Sequence, residues 1–141
     1  MIPGDPPQYP ADHPAHSERT RVLSANQAFY DAFEACSLAA MEAVWEHSAD
    51  VVCVHPGWSM LVGWPAVRRS WEQLLGNGQN LQFIVTEAVA TVGTDMAFVR
   101  ASENILADGG MQGSIVVINV FSRGGDGVWR MVSHHGSPVL R

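Results

Sequence analysis

Lysine is missing from this chain. All eight basic residues among the 141 are arginines, set against fourteen acidic residues for a formal net charge of −6. The arginines are scattered, so no basic patch exists to grip nucleic acid or an anionic membrane surface. Cysteine is scarce: Cys36 and Cys53 sit in apolar surroundings, fit no metal or redox spacing, and read as reduced core thiols of a cytoplasmic protein. Long apolar runs are lacking too. Nothing approaches the roughly 20 residues of a membrane span, and the opening residues lack the charged start and apolar run of a secretion signal. No glycine-rich phosphate loop occurs, and Ser59, Ser70 and Ser133 lack the strained elbow of a hydrolase nucleophile. What is present is a chain that is 47% hydrophobic, enough for the core of one domain.

Five of the eight prolines (Pro3, Pro6, Pro7, Pro10 and Pro14) crowd into residues 1–16, which read as a disordered arm ahead of a domain over 17–138 and a short tail over 139–141. Ser17 is placed to cap a first helix, with Val22, Asn26, Phe29 and Phe33 as its buried stripe. Asn26 is the odd member, because a buried amide needs partners. Ser37 can cap a second helix through Met41, Val44 and Trp45. A β-rich run, Val51 to His55, ends at Pro56-Gly57. A third helix starts with Pro65 and stops at Gly76-Asn77-Gly78.

From Leu81 the period changes to two. Strands over Leu81–Val92, Met96–Leu106, Met111–Arg123 and a closing run from Trp129 are separated by turn signals at Gly93-Thr94-Asp95, Asp108-Gly109-Gly110 and Gly124 to Gly127. Helices first and a meander after is an α+β order: a curved antiparallel sheet wrapped around N-terminal helices, with space for a pocket between the layers. Turns centred near Gly109 and Gly125 place Glu103, Ile115 and His135 in one inward row, with Asn119, Phe121, Met131 and Trp129 on the same face. Arg100, Ser114, Val116, Ile118, Arg130 and His134 then fall on the other face, which suits a dimer contact. A slip of one residue would reverse part of this assignment.

Three segments, Phe29-Tyr30-Asp31-Ala32-Phe33, Val51-Val52-Cys53-Val54-His55-Pro56-Gly57 and Trp129-Arg130-Met131-Val132-Ser133-His134-His135, resemble the SnoaL-like branch of the nuclear transport factor 2-like superfamily. The closing strand is also similar to calmodulin-dependent kinase association domains. The resemblance covers residues 17 to 138 and implies a cone-shaped α+β barrel, commonly a homodimer through the sheet face, with a pocket at the wide end. The superfamily includes isomerases, cyclases and dehydratases as well as proteins with no known reaction, so the chemistry has to be read from side chains. The ketosteroid isomerase pattern is not matched, since Asp50, the nearest aspartate to a general-base position, precedes the first strand.

On these grounds Glu103, His135 and His55 are the candidate acid–base residues, and Trp58, Trp64, Asn119 and Met131 the candidate ligand-binding wall. The alternative for the Glu103–His135 pair is a buried structural network, and for His55 a hydrogen bond at the turn. His55, Glu103 and His135 have the side-chain types of a metal triad, but no close spacing supports one, and no metal or cofactor is expected. The function expected is that of a domain binding an apolar small molecule, either with acid–base isomerase, cyclase or dehydratase chemistry, or as a non-catalytic binding or homodimeric association module.

Overall fold

A computed structural model describes residues 13–78, 80–107 and 110–140. Most of the proline-rich arm lies outside the described residues. Helix α1 spans Pro14–Glu34 and therefore starts three residues before Ser17. His13 caps it, its Nδ1 accepting from the Ala15 N–H at 3.0 Å, and Pro14 fits the first turn because no donor is needed there. Helix α2 (Leu38–Val44) is capped by Ser37, whose Oγ accepts from the Ala40 N–H at 3.1 Å. Helix α3 (Trp64–Gly76) carries Pro65 in its first turn and follows Gly63, whose φ of +88° is open only to glycine at low cost.

The strands are β1 (Val52–Val54), β2 (Leu61–Val62), β3 (Leu81–Val92), β4 (Met96–Ala107), β5 (Gly110–Arg123) and β6 (Trp129–Pro138). They form one six-stranded sheet in the order β2-β1-β6-β5-β4-β3. The four long strands are the antiparallel meander expected from the turns. The expectation of a purely antiparallel sheet needs one amendment: β1 joins β6 in parallel, so the sheet is mixed and its edges stay open.

Three bulges bend the sheet around the helices. Glu87 and Ala88 of β3 oppose Ala101 alone, with Glu87 at a left-handed φ of +58°. Gln112 is the extra residue of β5 and Val132 that of β6. The concave face meets α1 and α3 in a core containing Val22, Phe29, Tyr30, Val67, Trp71, Val99, Phe121 and Met131. Fully burying side chains of this size contributes roughly 2–3 kcal/mol each against the entropy of ordering them. Asn26 lies on the same buried stripe, as its spacing required.

The Val132 bulge corrects the expected facing of the two histidines. The β4–β5 register is as read, with Glu103 opposite Ile115. On β6, Phe121 pairs with Met131 rather than Trp129, a slip of two that keeps the facing. Val120 pairs with Ser133, so the bulge adds one more residue and reverses the facing after Val132. Ile115 faces Pro138 rather than His135, and Asn119 faces His134 rather than Met131. His134 is consequently buried on the concave face, and His135 is exposed on the outer face with Arg100 and Ile118. Glu103 and His135 stand on opposite sides of the sheet.

Candidate functional site

Glu103 projects from β4 into the concave face and is only 4% exposed. Its partner comes from α1: the Tyr30 hydroxyl donates to Glu103 Oε2 at 2.5 Å. Burial pushes the Glu103 carboxyl up to about 7, while the tyrosine hydrogen bond pulls the other way by favouring the charged form. Burial, and then the nearby Glu103 charge, raise the Tyr30 phenol well above its ordinary range, so it stays protonated. A carboxyl that takes and releases a proton near neutrality, beside a permanent donor, is a chemically competent acid–base pair.

Asn119 of β5 extends the polar cluster. Its Nδ2 donates to Asn26 Oδ1 at 2.8 Å, and its amide works weakly against the rise of the Tyr30 phenol. His134 Nδ1 lies 2.6 Å from Asn119 Oδ1, so Nδ1 carries the hydrogen and donates. The amide suspected from Asn26's place in the apolar stripe therefore has its partner across the core. Burial, reinforced by His55 and His135, holds the His134 imidazole down at about 3, and the ring packs on Phe29 with centroids 4.8 Å apart.

His55 forms a second cluster just beyond the end of β1. Ser70 Oγ donates to the Val67 carbonyl at 2.7 Å and receives the His55 Nε2 hydrogen at 2.8 Å. Burial lowers His55 to about 4 and raises the neighbouring Cys53 thiol to about 12, so neither is charged at neutral pH. The two buried imidazoles have ring centroids 6.3 Å apart, with Trp71 edge-on to His55 at 4.7 Å.

The expected aromatic wall is only partly assembled. Trp58 stands edge-on to His55 at 4.8 Å and is 38% exposed. Trp64 instead stacks on His47 at 4.2 Å and leans on Trp45. Met131 is core, fully buried where β6 bridges Trp45. Nearer Glu103, the Tyr30 bonded to it packs on Phe83 with centroids 5.6 Å apart, and Phe83 packs on Phe33 at 4.6 Å. Tyr30 went unread in the sequence although a signal existed: it follows Asn26 by four residues, which puts both polar groups on one helical face. Among the described residues no group of three or more metal-ligating side chains comes together, so the triad of His55, Glu103 and His135 is not assembled.

A cleft of about 650 Å³ opens where β3 begins and β4 ends, lined by Asn77, Asn80, Leu81, Ile105, Ala107 and Gln112. Ile105 and Glu103 face the same way along β4, two residues or roughly 7 Å apart. Glu103 itself is not among the residues that line the cleft.

The sequence profile of the SnoaL-like domain family matches residues 22–141. The chain is a SnoaL-like domain. At 38% identity it is similar to a candidate dehydratase of the nuclear transport factor 2-like family from Streptomyces avermitilis, covering 90% of this chain and 99% of that one with a TM-score of 0.83. A candidate calcium/calmodulin-dependent protein kinase type II association domain from Thiobacillus denitrificans is 35% identical over 84% of this chain and 94% of that one, with a TM-score of 0.76. F-box protein SKIP8 of Arabidopsis thaliana is 31% identical over 119 residues, 84% of this chain. The SnoaL-like domain spans half the length of that curated relative. No helix among the described residues is long and apolar enough to cross a membrane.

Proposed function

We propose that this SnoaL-like domain takes an apolar small molecule through the cleft beside Ile105 and moves a proton on it with Glu103. The observation that carries the reading is a carboxyl 4% exposed, facing the concave side, held by a tyrosine hydroxyl rather than by a cation. An arginine or lysine partner would lock the carboxylate ionised, whereas Tyr30 leaves it able to exchange protons near pH 7. Glu103 is the acid or base, and Tyr30 the donor whose hydrogen bond steadies its carboxylate form. Proton transfers of this kind serve isomerisation, dehydration and cyclisation alike. The likeness to the candidate dehydratase favours this class. His55 and His134 are neutral structural neighbours of the site in this reading, and His135 takes no part in it.

The test uses a panel of apolar ketones and hydroxyketones in D₂O, following deuterium entry next to the carbonyl by proton NMR. Exchange by the wild-type domain that is lost in Glu103→Gln, with the folded state retained, supports the proposal. Equal exchange by both proteins refutes it. Stabilisation by a compound with neither exchange nor product would identify a non-catalytic binding domain instead.

The outer sheet face favours a second role beside the first, a homodimer contact. Met96, Phe98, Val116 and Ile118 are each 40–49% exposed there, in a chain where most large apolar residues are covered. A contiguous apolar patch of this kind marks an interaction surface, and a second copy meeting it face to face would cover it with the same residues.

A further inference from the structure

The cleft and the Tyr30–Glu103 pair do not touch, and a phenyl ring stands between them. We infer that Phe83 is the specificity-determining residue of this site: its ring swings aside to admit a ligand and restricts passage to slim, flat apolar molecules. The inference rests on Glu103 as the working group, as proposed above.

Strand register orders the inward side chains from the cleft to the carboxyl. Leu81 pairs with Ala107 in the outermost row. Phe83, Ile105 and Gly113 form the next row, and Val85, Glu103 and Ile115 the one below it. Leu81, Ile105 and Ala107 line the cleft, so a ligand bound for Glu103 has to cross the middle row. Gly113 adds no side chain there, which leaves Phe83 and Ile105 as the barrier. Phe83 is half-buried. Its ring centroid lies 5.6 Å from that of Tyr30, whose hydroxyl holds Glu103, and 4.6 Å from that of Phe33. The ring therefore touches the site on one side and flanks a cleft wall on the other.

Of the two barrier side chains, Phe83 is the one free to move. Ile105 is β-branched and stiff about its first torsion, and its strand is paired on both sides. The backbone of Phe83 is pinned, because its N–H donates to Glu34 Oε1 at the end of α1 at 2.7 Å. The sheet edge thus stays in place, while the phenyl group can still turn between staggered wells. Turning it away gives up tilted ring contacts with Tyr30 and Phe33, at 51° and 54°. A flat apolar ligand offers those rings a new face to pack on, and a branched or cage-shaped one does not.

The experiment follows the Glu103 side-chain carboxyl carbon by NMR while the domain is titrated with flat acetophenone or cage-shaped adamantanone. In the wild type, acetophenone should move the signal and adamantanone should not. Phe83→Ala should admit both, cutting the preference for acetophenone by about tenfold or more. Phe83→Trp should exclude both. Phe83→Leu, which removes the ring but keeps an apolar side chain, should act in the same direction by a smaller step and serves where Phe83→Ala fails to fold. Equal responses to the two ketones in the wild type overturn the inference, and need no variant to fold. Exclusion of adamantanone from folded Phe83→Ala or Phe83→Leu overturns it, as does passage of acetophenone in Phe83→Trp or a Glu103 signal that no ketone moves in any of the proteins. Size-dependent shifts without deuterium exchange would reject only the catalytic reading. Deuterium exchange with one size profile in wild type and Phe83→Ala would reject only the role of Phe83.

Discussion

Replacing Glu103 with glutamine should change the shape of the pH–stability curve as well as its height. His55 and His134 have folded values of about 4 and about 3, below the ordinary histidine value of 6.5. The unfolded chain therefore binds protons that the folded one refuses, and stability falls as pH drops below 6.5. Each histidine should cost about 2 kcal/mol between pH 7 and pH 5, or about 4 kcal/mol together. Glu103 has the opposite sign. Its folded value of about 7 lies above the ordinary 4.5, so the folded chain holds a proton that the unfolded one has released. That contribution is present at low pH and is lost as pH rises toward 7, amounting to about 2 kcal/mol over the same interval. The wild type should thus lose about 2 kcal/mol on going from pH 7 to pH 5 through these three groups, and Glu103→Gln about 4 kcal/mol. Urea unfolding at a fixed protein concentration, followed by the fluorescence of buried Trp45 and Trp71, measures both curves. All other titrating groups are common to the two proteins and cancel in their difference. Parallel curves, with a stability difference independent of pH, would refute the argument that Glu103 is held neutral by burial.

Three further outcomes are expected. Asn26→Leu and Asn119→Leu each strand a buried polar partner and should destabilise by about 1–3 kcal/mol, while the double variant should cost clearly less than the sum; additive losses in urea unfolding would contradict the 2.8 Å bond between them. Cys53, fully buried with its thiol raised to about 12, should resist a thiol reagent at neutral pH while half-buried Cys36 reacts, so mass spectrometry of the native domain should find one modification. Ile118→Asp on the outer face should shift the mass seen by light scattering from dimer to monomer without unfolding the domain; an unchanged mass would remove that face as the contact.

Much of the fold was legible because its signals are local. Ser37 before an apolar period, Pro65 in a first turn, and glycine-rich turns between alternating runs each act within a few residues, so α2, α3 and the meander could be read without tertiary information. The facing of β4 and β5 could also be read, since alternation with a turn centred near Gly109 puts Glu103 inside opposite Ile115. The start of α1 was misplaced because proline suggests an extended arm, whereas in a first turn it costs nothing.

The identity of the inward histidine was a tertiary decision. Met131-Val132-Ser133 carries no glycine or other mark of a bulge. The bulge falls where β6 exchanges one neighbour for another: Met131 bridges Trp45 and accepts from the Glu46 N–H, whereas Ser133 to His135 pair with β1. Val132 takes up the mismatch between those two partners, which meet only in the folded chain. The same holds for the Tyr30–Glu103 bond, which joins residues 73 apart in sequence. Local periodicity put Asn26 and Glu103 on buried faces, but not the inward histidine. Long-range packing decided which of them meet, because register across a sheet and the approach of a helix to it depend on every strand between them.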